Sequence, residues 1–200
     1  KNLAVELKNL GYEVNHLDLG GGFGVDYTMK NSLNYKSFST ALNEVFKNNE
    51  FQLSIEPGRS LIAESGVLLT KVIRTKSTNY KNFLIVDAAM NNLIRPTLYN
   101  ATHSIQPLKI KSDRSLKKYD IVGPICETGD FLGIDFNLQE TKKNEVLAIM
   151  TCGAYGSVMR SNYNSRPSAA EVFILNNKEI LLRKRERINQ LLNLDIIPNF

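Results

Sequence analysis

The sequence predicts an α/β segment followed by a mostly β domain, with the change near residue 66. Residues 1–66 alternate helical and strand-like patterns, which is typical of parallel α/β structure. Residues 67–200 contain strand-like runs joined by polar loops, with few helical stripes. Within residues 1–66, two turns that contain glycines or charged residues each follow a strand. α/β proteins place their binding sites at this end of their strands.

Apolar periodicity and glycines define the elements of residues 1–66. A helical stripe predicts a first helix that ends at Gly11, and a second stripe predicts a helix over residues 38–46. The stretch "VNHLDLGGGFG" predicts a short buried strand, and "FQLSIEPGRS" predicts another that ends at Pro57. A short helix in "SLIAESG" then ends at Gly66. The stripe residues are Leu3, Ala4, Leu7 and Leu10 in the first helix, and Phe38, Ala41, Leu42, Val45 and Phe46 in the second.

The β domain is predicted as strands in "VLLTKVIRTK", "NFLIVDAAM", "YDIVGPI", "NEVLAIMT" and "AEVFIL". The last of these turns through "NNK" into "EILLRKRE", which predicts a hairpin. The final stretch "RINQLLNLD" predicts a short helix. The chain is thus expected to end in a β domain without an internal repeat.

Composition and charge argue against several function classes. The net charge is +5, but its densest run, "RKRER" at 183–187, contains a glutamate and favours a solvated face over a nucleic-acid site. No apolar run approaches the roughly 18–20 residues of a membrane span, and no signal peptide is recognisable. Two cysteines in 200 residues favour a reducing, cytoplasmic setting. Because the chain opens on Lys1 directly in a helical pattern, we expect a fragment of a longer architecture.

The turns that follow the two strands suit an anion. Glycines at 20, 21, 22 and 24 let backbone N–H groups approach a phosphate, although a tight turn without ligand explains them equally well. In "EPGRS", Glu56 suits a heterocycle nitrogen, while Gly58 and Arg59 suit an anion. The alternative is a surface turn with an incidental salt bridge. Both turns together favour a phosphate ligand.

Three later stretches carry further candidates. Arg95, expected to be extended because a proline follows it, and Tyr99 suit a substrate carboxylate, although ordinary loop packing explains them when they are taken alone. Tyr155 lies between small residues in "CGAYG", and Cys152 nearby is interpreted as a buried apolar residue. In "GPICETGD", Cys126 is a packed thiol, a metal ligand, a disulfide partner or a proton donor. The two histidines match no zinc spacing, so no metal site is expected.

Five segments in this order resemble the pyridoxal-phosphate-dependent decarboxylases of the alanine-racemase-like fold, above all the diaminopimelate decarboxylases. They are "LDLGGGFGVDY", "EPGRSLIAESG", "VDAAMNNLIRPTLY", "GPICETGDFL" and "GAYGSVMRSNYNSRPSAAEV". The resemblance implies that residues 1–66 form the C-terminal part of a (β/α)8 barrel that binds pyridoxal 5'-phosphate (PLP). It implies that residues 67–200 form the C-terminal β domain.

The resemblance also implies a role for each candidate. The residues implied to bind the cofactor are Gly20, Gly21, Gly22, Gly24, Glu56, Gly58, Arg59 and Tyr155. Those implied to bind an amino-acid substrate with charge at both ends are Arg59, Arg95, Tyr99, Glu127 and Tyr155. Cys126 is implied to protonate the substrate carbon after carbon dioxide leaves, in the active site of the other subunit of a homodimer.

The resemblance further implies a lysine that holds the cofactor, upstream of the glycine turn. No strand-end lysine precedes Gly20, so we expect this chain alone to be inactive and expect a separate N-terminal half to supply the lysine. Ornithine or arginine decarboxylase is the alternative within the enzyme class, but those substrates lack the distal carboxylate that Arg95 suits. A non-catalytic relic is the alternative outside it.

Overall fold

The computed structural model describes residues 1–31, 34–47, 51–193, 195–196 and 198. Its N-terminal segment confirms the predicted alternation of helices and strands. The elements are α1 (Asn2–Asn9), β1 (His16–Asp18), α2 (Tyr35–Phe46), β2 (Gln52–Ser54), α3 (Gly58–Ile62) and a 3₁₀ turn (Ala63–Ser65). Strands β1 and β2 pair in parallel, with Leu17 opposite Leu53. The predicted burial of β1 is wrong, since Leu17 is half-buried and its neighbours are exposed in a sheet of only two described strands. Their parallel pairing places the turns that follow them at the same end of the pair.

The rest of the chain confirms the mostly β domain. Within the described residues six strands form one sheet in the order β5-β8-β3-β4-β6-β7. They are β3 (Leu68–Ser77), β4 (Asn82–Val86), β5 (Ile105–Pro107), β6 (Leu116–Val122), β7 (Phe131–Gln139) and β8 (Val146–Ile149). Strand β7 also packs against β5 at the opposite end of the order, so the sheet curls towards a closed barrel. All neighbours are antiparallel except β4 and β6.

Two helices, two strands and two 3₁₀ turns (Ser157–Met159 and Tyr163–Ser165) complete the described part of the fold. Helix α4 (Arg95–Tyr99) lies between β4 and β5, so the expected extended conformation of Arg95 is wrong. Pro96 lies in the first turn of this helix, where its missing N–H is not needed. Strands β9 (Glu171–Leu175) and β10 (Lys178–Arg183) form the predicted hairpin, and Asn176 and Asn177 take the left-handed conformation that its tight turn requires. Helix α5 (Ile188–Leu192) confirms the predicted terminal helix. Residue 194 of the predicted stretch lies outside the described residues. Among the described residues, no helix has the length and apolar character that crossing a membrane requires.

The hydrophobic core lies inside the curled sheet. Val72, Leu84, Ile121, Leu147 and Ile149 have no exposed surface there. Each lies on a different strand or at a different level of the sheet, so the strands bury one face together. The loops of the candidate site project from the sheet that encloses this core.

Close backbone contacts join the N-terminal segment to the sheet. The Cys152 N–H donates to the Gly66 carbonyl at 2.7 Å, and the Gly153 N–H donates to the Ala63 carbonyl at 2.9 Å. A Cβ atom on Gly153 would collide with the Ile62 carbonyl, so only glycine permits this approach. The contact brings the segment after β8, which carries Tyr155, beside helix α3.

Candidate active site

The glycine turn after β1 packs directly on the turn after β2. Gly20, Gly21 and Gly22 have φ angles of 60°, 61° and 125°, which favour glycine. A Cβ atom on Gly22 would lie 2.6 Å from the Pro57 Cα atom and 2.9 Å from the Glu56 carbonyl oxygen. The Glu56 N–H also donates to the Gly20 carbonyl at 3.4 Å. The two turns therefore form one structural unit.

This unit lines an open cavity of about 400 Å³, which we call the glycine cavity. Its lining residues are Gly21, Gly22, Phe23, Gly24, Glu56, Pro57, Gly58, Arg59 and Tyr155. Of the residues expected at a cofactor, only Gly20 is outside this lining, and a Cβ atom there would lie 3.9 Å from Glu56 Oε2. Backbone N–H groups and a guanidinium suit an anion, and the carboxylate of Glu56 beside them suits a protonated ring nitrogen.

A second cavity of about 610 Å³ adjoins the first, and we call it the arginine cavity. It is lined by Val25, Tyr27, Arg59, Arg95, Tyr99, Ala101, Tyr155 and Met159. Arg59 and Tyr155 line both cavities, so these two side chains form a shared wall. Both volumes fall in the range of small-molecule sites.

Arg95 is the most unusual group of the arginine cavity. Its side chain is only 6% exposed, and its Cζ atom lies 4.9 Å from the ring centroid of Tyr27, 5.6 Å from that of Tyr99 and 5.7 Å from that of Tyr155. Three aromatic rings stabilise the cation. Within the described residues Arg95 forms no ion pair, and its buried Nε has no hydrogen-bond partner. Buried polar groups are rarely unpartnered, so the Nε atom of Arg95 is a hydrogen-bond donor without an acceptor among the described residues.

Tyr27 packs against Arg95, and His103 packs against Tyr27. The rings of Tyr27 and His103 meet edge to face at 4.7 Å between centroids. Burial lowers the pKa of His103, and the nearby Arg95 lowers it further, so the imidazole is neutral and its Nδ1 donates to the Met150 carbonyl at 2.9 Å. The sequence analysis missed Tyr27. Its position three residues after Gly24, within the first resembling segment, was the available signal.

Cys126 and Glu127 line neither the glycine cavity nor the arginine cavity. They belong to the loop between β6 and β7, and the Cys126 thiol is exposed. Glu127 accepts hydrogen bonds from the Tyr163 hydroxyl at 3.1 Å and the Thr128 N–H at 2.9 Å. The hydrogen bond to Glu127 raises the pKa of Tyr163. Tyr163, which the sequence analysis also missed, therefore orients this carboxylate.

The second cysteine, Cys152, is a packed side chain. Cys152 is buried, which raises the pKa of its thiol to about 12 and confirms its interpretation as a small apolar residue. Both cysteines are free, so neither forms a disulfide. In the described regions of the chain, no group of three or more His, Cys, Asp or Glu side chains is arranged to hold a metal ion.

Comparisons with known proteins match the segments that form the two cavities to one protein family. Residues 18–153 match the family model described as pyridoxal-dependent decarboxylase, C-terminal sheet domain. The diaminopimelate decarboxylase of Aquifex aeolicus is 42% identical over 198 residues, which are 98% of this chain and 47% of the relative. That of Vibrio cholerae is 44% identical over 192 residues, which are 96% of this chain and 46% of the relative.

A solved structure of a related decarboxylase has a similar fold. The diaminopimelate decarboxylase of Helicobacter pylori, crystallised with L-lysine, superposes with a TM-score of 0.85 at 37% identity. The match covers 96% of this chain and 48% of that one. The chain thus spans about half the length of the relatives it matches. It belongs to the pyridoxal-dependent decarboxylases, carries their C-terminal sheet domain, and corresponds to the C-terminal portion of diaminopimelate decarboxylases.

Proposed function

We propose that this chain is the C-terminal portion of a PLP-dependent decarboxylase that converts meso-2,6-diaminopimelate to L-lysine and carbon dioxide in the cytoplasm. The observation that carries the proposal is the buried Arg95, which forms no ion pair with any described residue, in a cavity that shares a wall with the glycine cavity. Identity of 42–44% to diaminopimelate decarboxylases over nearly the whole chain supports it. In this proposal residues 1–66 complete a (β/α)8 barrel and residues 67–200 form the β domain.

The glycine cavity fits PLP. Its glycine turn and the N–H of Gly58 would hold the phosphate together with Arg59, because backbone N–H groups and a guanidinium are strong donors to phosphate oxygens. Glu56 would hold the pyridine nitrogen in its protonated form, and Tyr155 would contact the ring. When bound, PLP supplies an electron sink for the electron pair left as carbon dioxide departs.

The arginine cavity fits the distal end of the substrate. Diaminopimelate carries a carboxylate and an ammonium group at each end, whereas ornithine lacks the distal carboxylate. Arg95 would bind that carboxylate, with Tyr99 beside it and Arg59 on the shared wall. The rings of Tyr27, Tyr99 and Tyr155 lie around the Arg95 guanidinium and would hold it in place for this contact.

Cys126 and Glu127 would act across a homodimer. Neither residue lines the glycine cavity or the arginine cavity of its own chain, and Cys126 is exposed, which suits delivery to a neighbouring subunit. There Glu127 would bind the substrate ammonium group. The Cys126 thiol would donate its proton to the substrate carbon after carbon dioxide leaves.

Reconstitution tests the proposal. The purified chain alone should release no carbon dioxide from meso-diaminopimelate, because the lysine that holds the cofactor would come from an N-terminal half. Co-expression with the N-terminal half of a related decarboxylase should restore lysine formation. In that complex Arg95→Gln should raise the KM for diaminopimelate about a hundredfold, the loss expected for one charge-assisted contact, and should leave PLP affinity unchanged.

The alternatives give different results in the same assay. Faster turnover of ornithine than of diaminopimelate by the complex would support an ornithine-type decarboxylase instead. Turnover of diaminopimelate by the chain alone would refute the requirement for a second half. A complex that assembles, binds PLP and turns over neither substrate would support the non-catalytic relic.

A further inference from the structure

The loop that carries Cys126 and Glu127 is held by a buried carboxylate. Asp130, at the end of this loop, is only 4% exposed. Its Oδ2 accepts from the Ile125 N–H at 2.6 Å, directly before Cys126. Its Oδ1 accepts from the Met90 N–H at 2.7 Å, in the segment that leads to helix α4. One side chain therefore joins the loop to the segment that carries Arg95.

A second hydrogen bond joins the same two segments. The Thr97 hydroxyl, between Arg95 and Tyr99 on α4, donates to the Gly129 carbonyl. A Cβ atom on Gly129 would lie 2.6 Å from the Thr97 Cγ2 atom, and one on Gly123 would collide with the carboxylate of Asp130. Both glycines thus permit a close approach that a side chain would prevent.

Asp130 holds its partners through backbone N–H groups and not through a salt bridge. Across the residues that the structure describes, no Lys or Arg pairs with it, so backbone N–H donors alone compensate the buried anion. Charge-assisted hydrogen bonds of this kind are stronger and more directional than neutral ones. They suit a group whose role is to fix two backbone segments at one separation.

We propose that Asp130 and Thr97 are positioning residues that fix the Cys126–Glu127 loop to the segment that carries Arg95 and Tyr99. The anchor is a property of this chain, and only its consequence for proton donation rests on the proposed function. Because the two segments then move as one unit, a carboxylate that binds Arg95 also restrains the loop that serves the neighbouring subunit.

Two measurements on the purified chain test the anchor. In Asp130→Ala, hydrogen exchange of both the Ile125 and Met90 amides should accelerate about tenfold to a hundredfold, the range for a lost hydrogen bond to a charged group. A fluorophore on the exposed Cys126 should lose anisotropy in Thr97→Val, which keeps the shape and removes the donor. Thr97→Ser keeps the hydroxyl and should retain the wild-type anisotropy.

The Thr97 pair decides the matter even if the Asp130 variant does not fold. Equal anisotropy in wild type, Thr97→Val and Thr97→Ser would overturn the proposal. In the reconstituted complex, Thr97→Val should lower kcat about tenfold with little change in KM, and Thr97→Ser should restore kcat. A reconstituted wild type without activity would refute the proposed function, while the anisotropy would still judge the anchor.

Discussion

Replacing Gly22 by alanine tests the contact that builds the glycine cavity. The added Cβ atom would lie 2.6 Å from the Pro57 Cα atom and 2.9 Å from the Glu56 carbonyl oxygen, and both neighbours are backbone that cannot swing aside. The residue also has a φ angle of 125°, which L side chains rarely adopt. Alanine therefore faces backbone strain and overlap together.

Two other glycines of the same turn separate these effects. Strain at a glycine-type φ costs of order 1–3 kcal/mol, and overpacking costs about as much again, so Gly22→Ala should destabilise by about 3 kcal/mol or more. Gly21 has a φ angle of 61° and open space at its Cβ position, so Gly21→Ala should cost only about 1 kcal/mol. Gly24 has open space and no positive φ, so Gly24→Ala should be neutral within about 0.5 kcal/mol.

Urea unfolding followed by far-ultraviolet circular dichroism measures the series, since the chain has no tryptophan. With a slope of about 2 kcal/mol per molar urea, Gly22→Ala should lower the midpoint by about 1.5 M. PLP affinity should fall in the same order, because the overlap separates the two turns that line the cavity. Equal midpoints for Gly22→Ala and Gly24→Ala would refute the reasoning.

Three further outcomes are expected. Iodoacetamide at pH 8 should label the native chain once, at the exposed Cys126, because burial raises the pKa of Cys152 to about 12; mass spectrometry showing two labels would contradict this. The hydrogen bond from Arg114 lowers the pKa of Glu145 from 4.5 to about 2, so this carboxylate stabilises the fold above pH 4.5 and loses that effect as the pH falls towards 2. Glu145→Gln should therefore cost about 1 kcal/mol at pH 7, after allowance for solvent screening, and almost nothing near pH 2. The pKa of His103 is lowered from 6.5, so its contribution is present above pH 6.5 and is lost below it. Urea midpoints should fall between pH 7 and pH 5 in wild type and less in His103→Gln, and equal slopes would count against a neutral buried imidazole.

The sequence predicted the α/β segment of the fold because its signals are local. Helical stripes and glycine or proline stops need no tertiary information, and both turns were recognised from their own residues. Strand β7 was missed because Gly133 interrupts its pattern and Asp135 has a φ angle of 54° at an irregularity in the pairing with β6. The buried Asp120 accepts from the Asp135 N–H at 2.9 Å, a stabilisation from another strand that no local pattern reveals.

Some residues of the candidate site could likewise be predicted from local sequence, whereas others could not. Glycines, Glu56 and Arg59 stand out by turn chemistry, and Arg95 stands out before a proline. Tyr27 and Tyr163 are single aromatic residues in loops, and they acquire a role only through contacts with Arg95 and Glu127 far along the chain. The place where Cys126 acts depends on assembly, which remains a prediction.

The shared wall of Arg59 and Tyr155 has a consequence for inhibitor design. If the proposed roles hold, a ligand with a phosphate head for the glycine turn and a carboxylate tail for Arg95 would occupy two adjoining cavities at once. Joining two weak fragments across this partition makes the second association intramolecular, at an effective concentration in the millimolar range for a short tether. Bipartite compounds of this shape should therefore outperform either fragment by orders of magnitude.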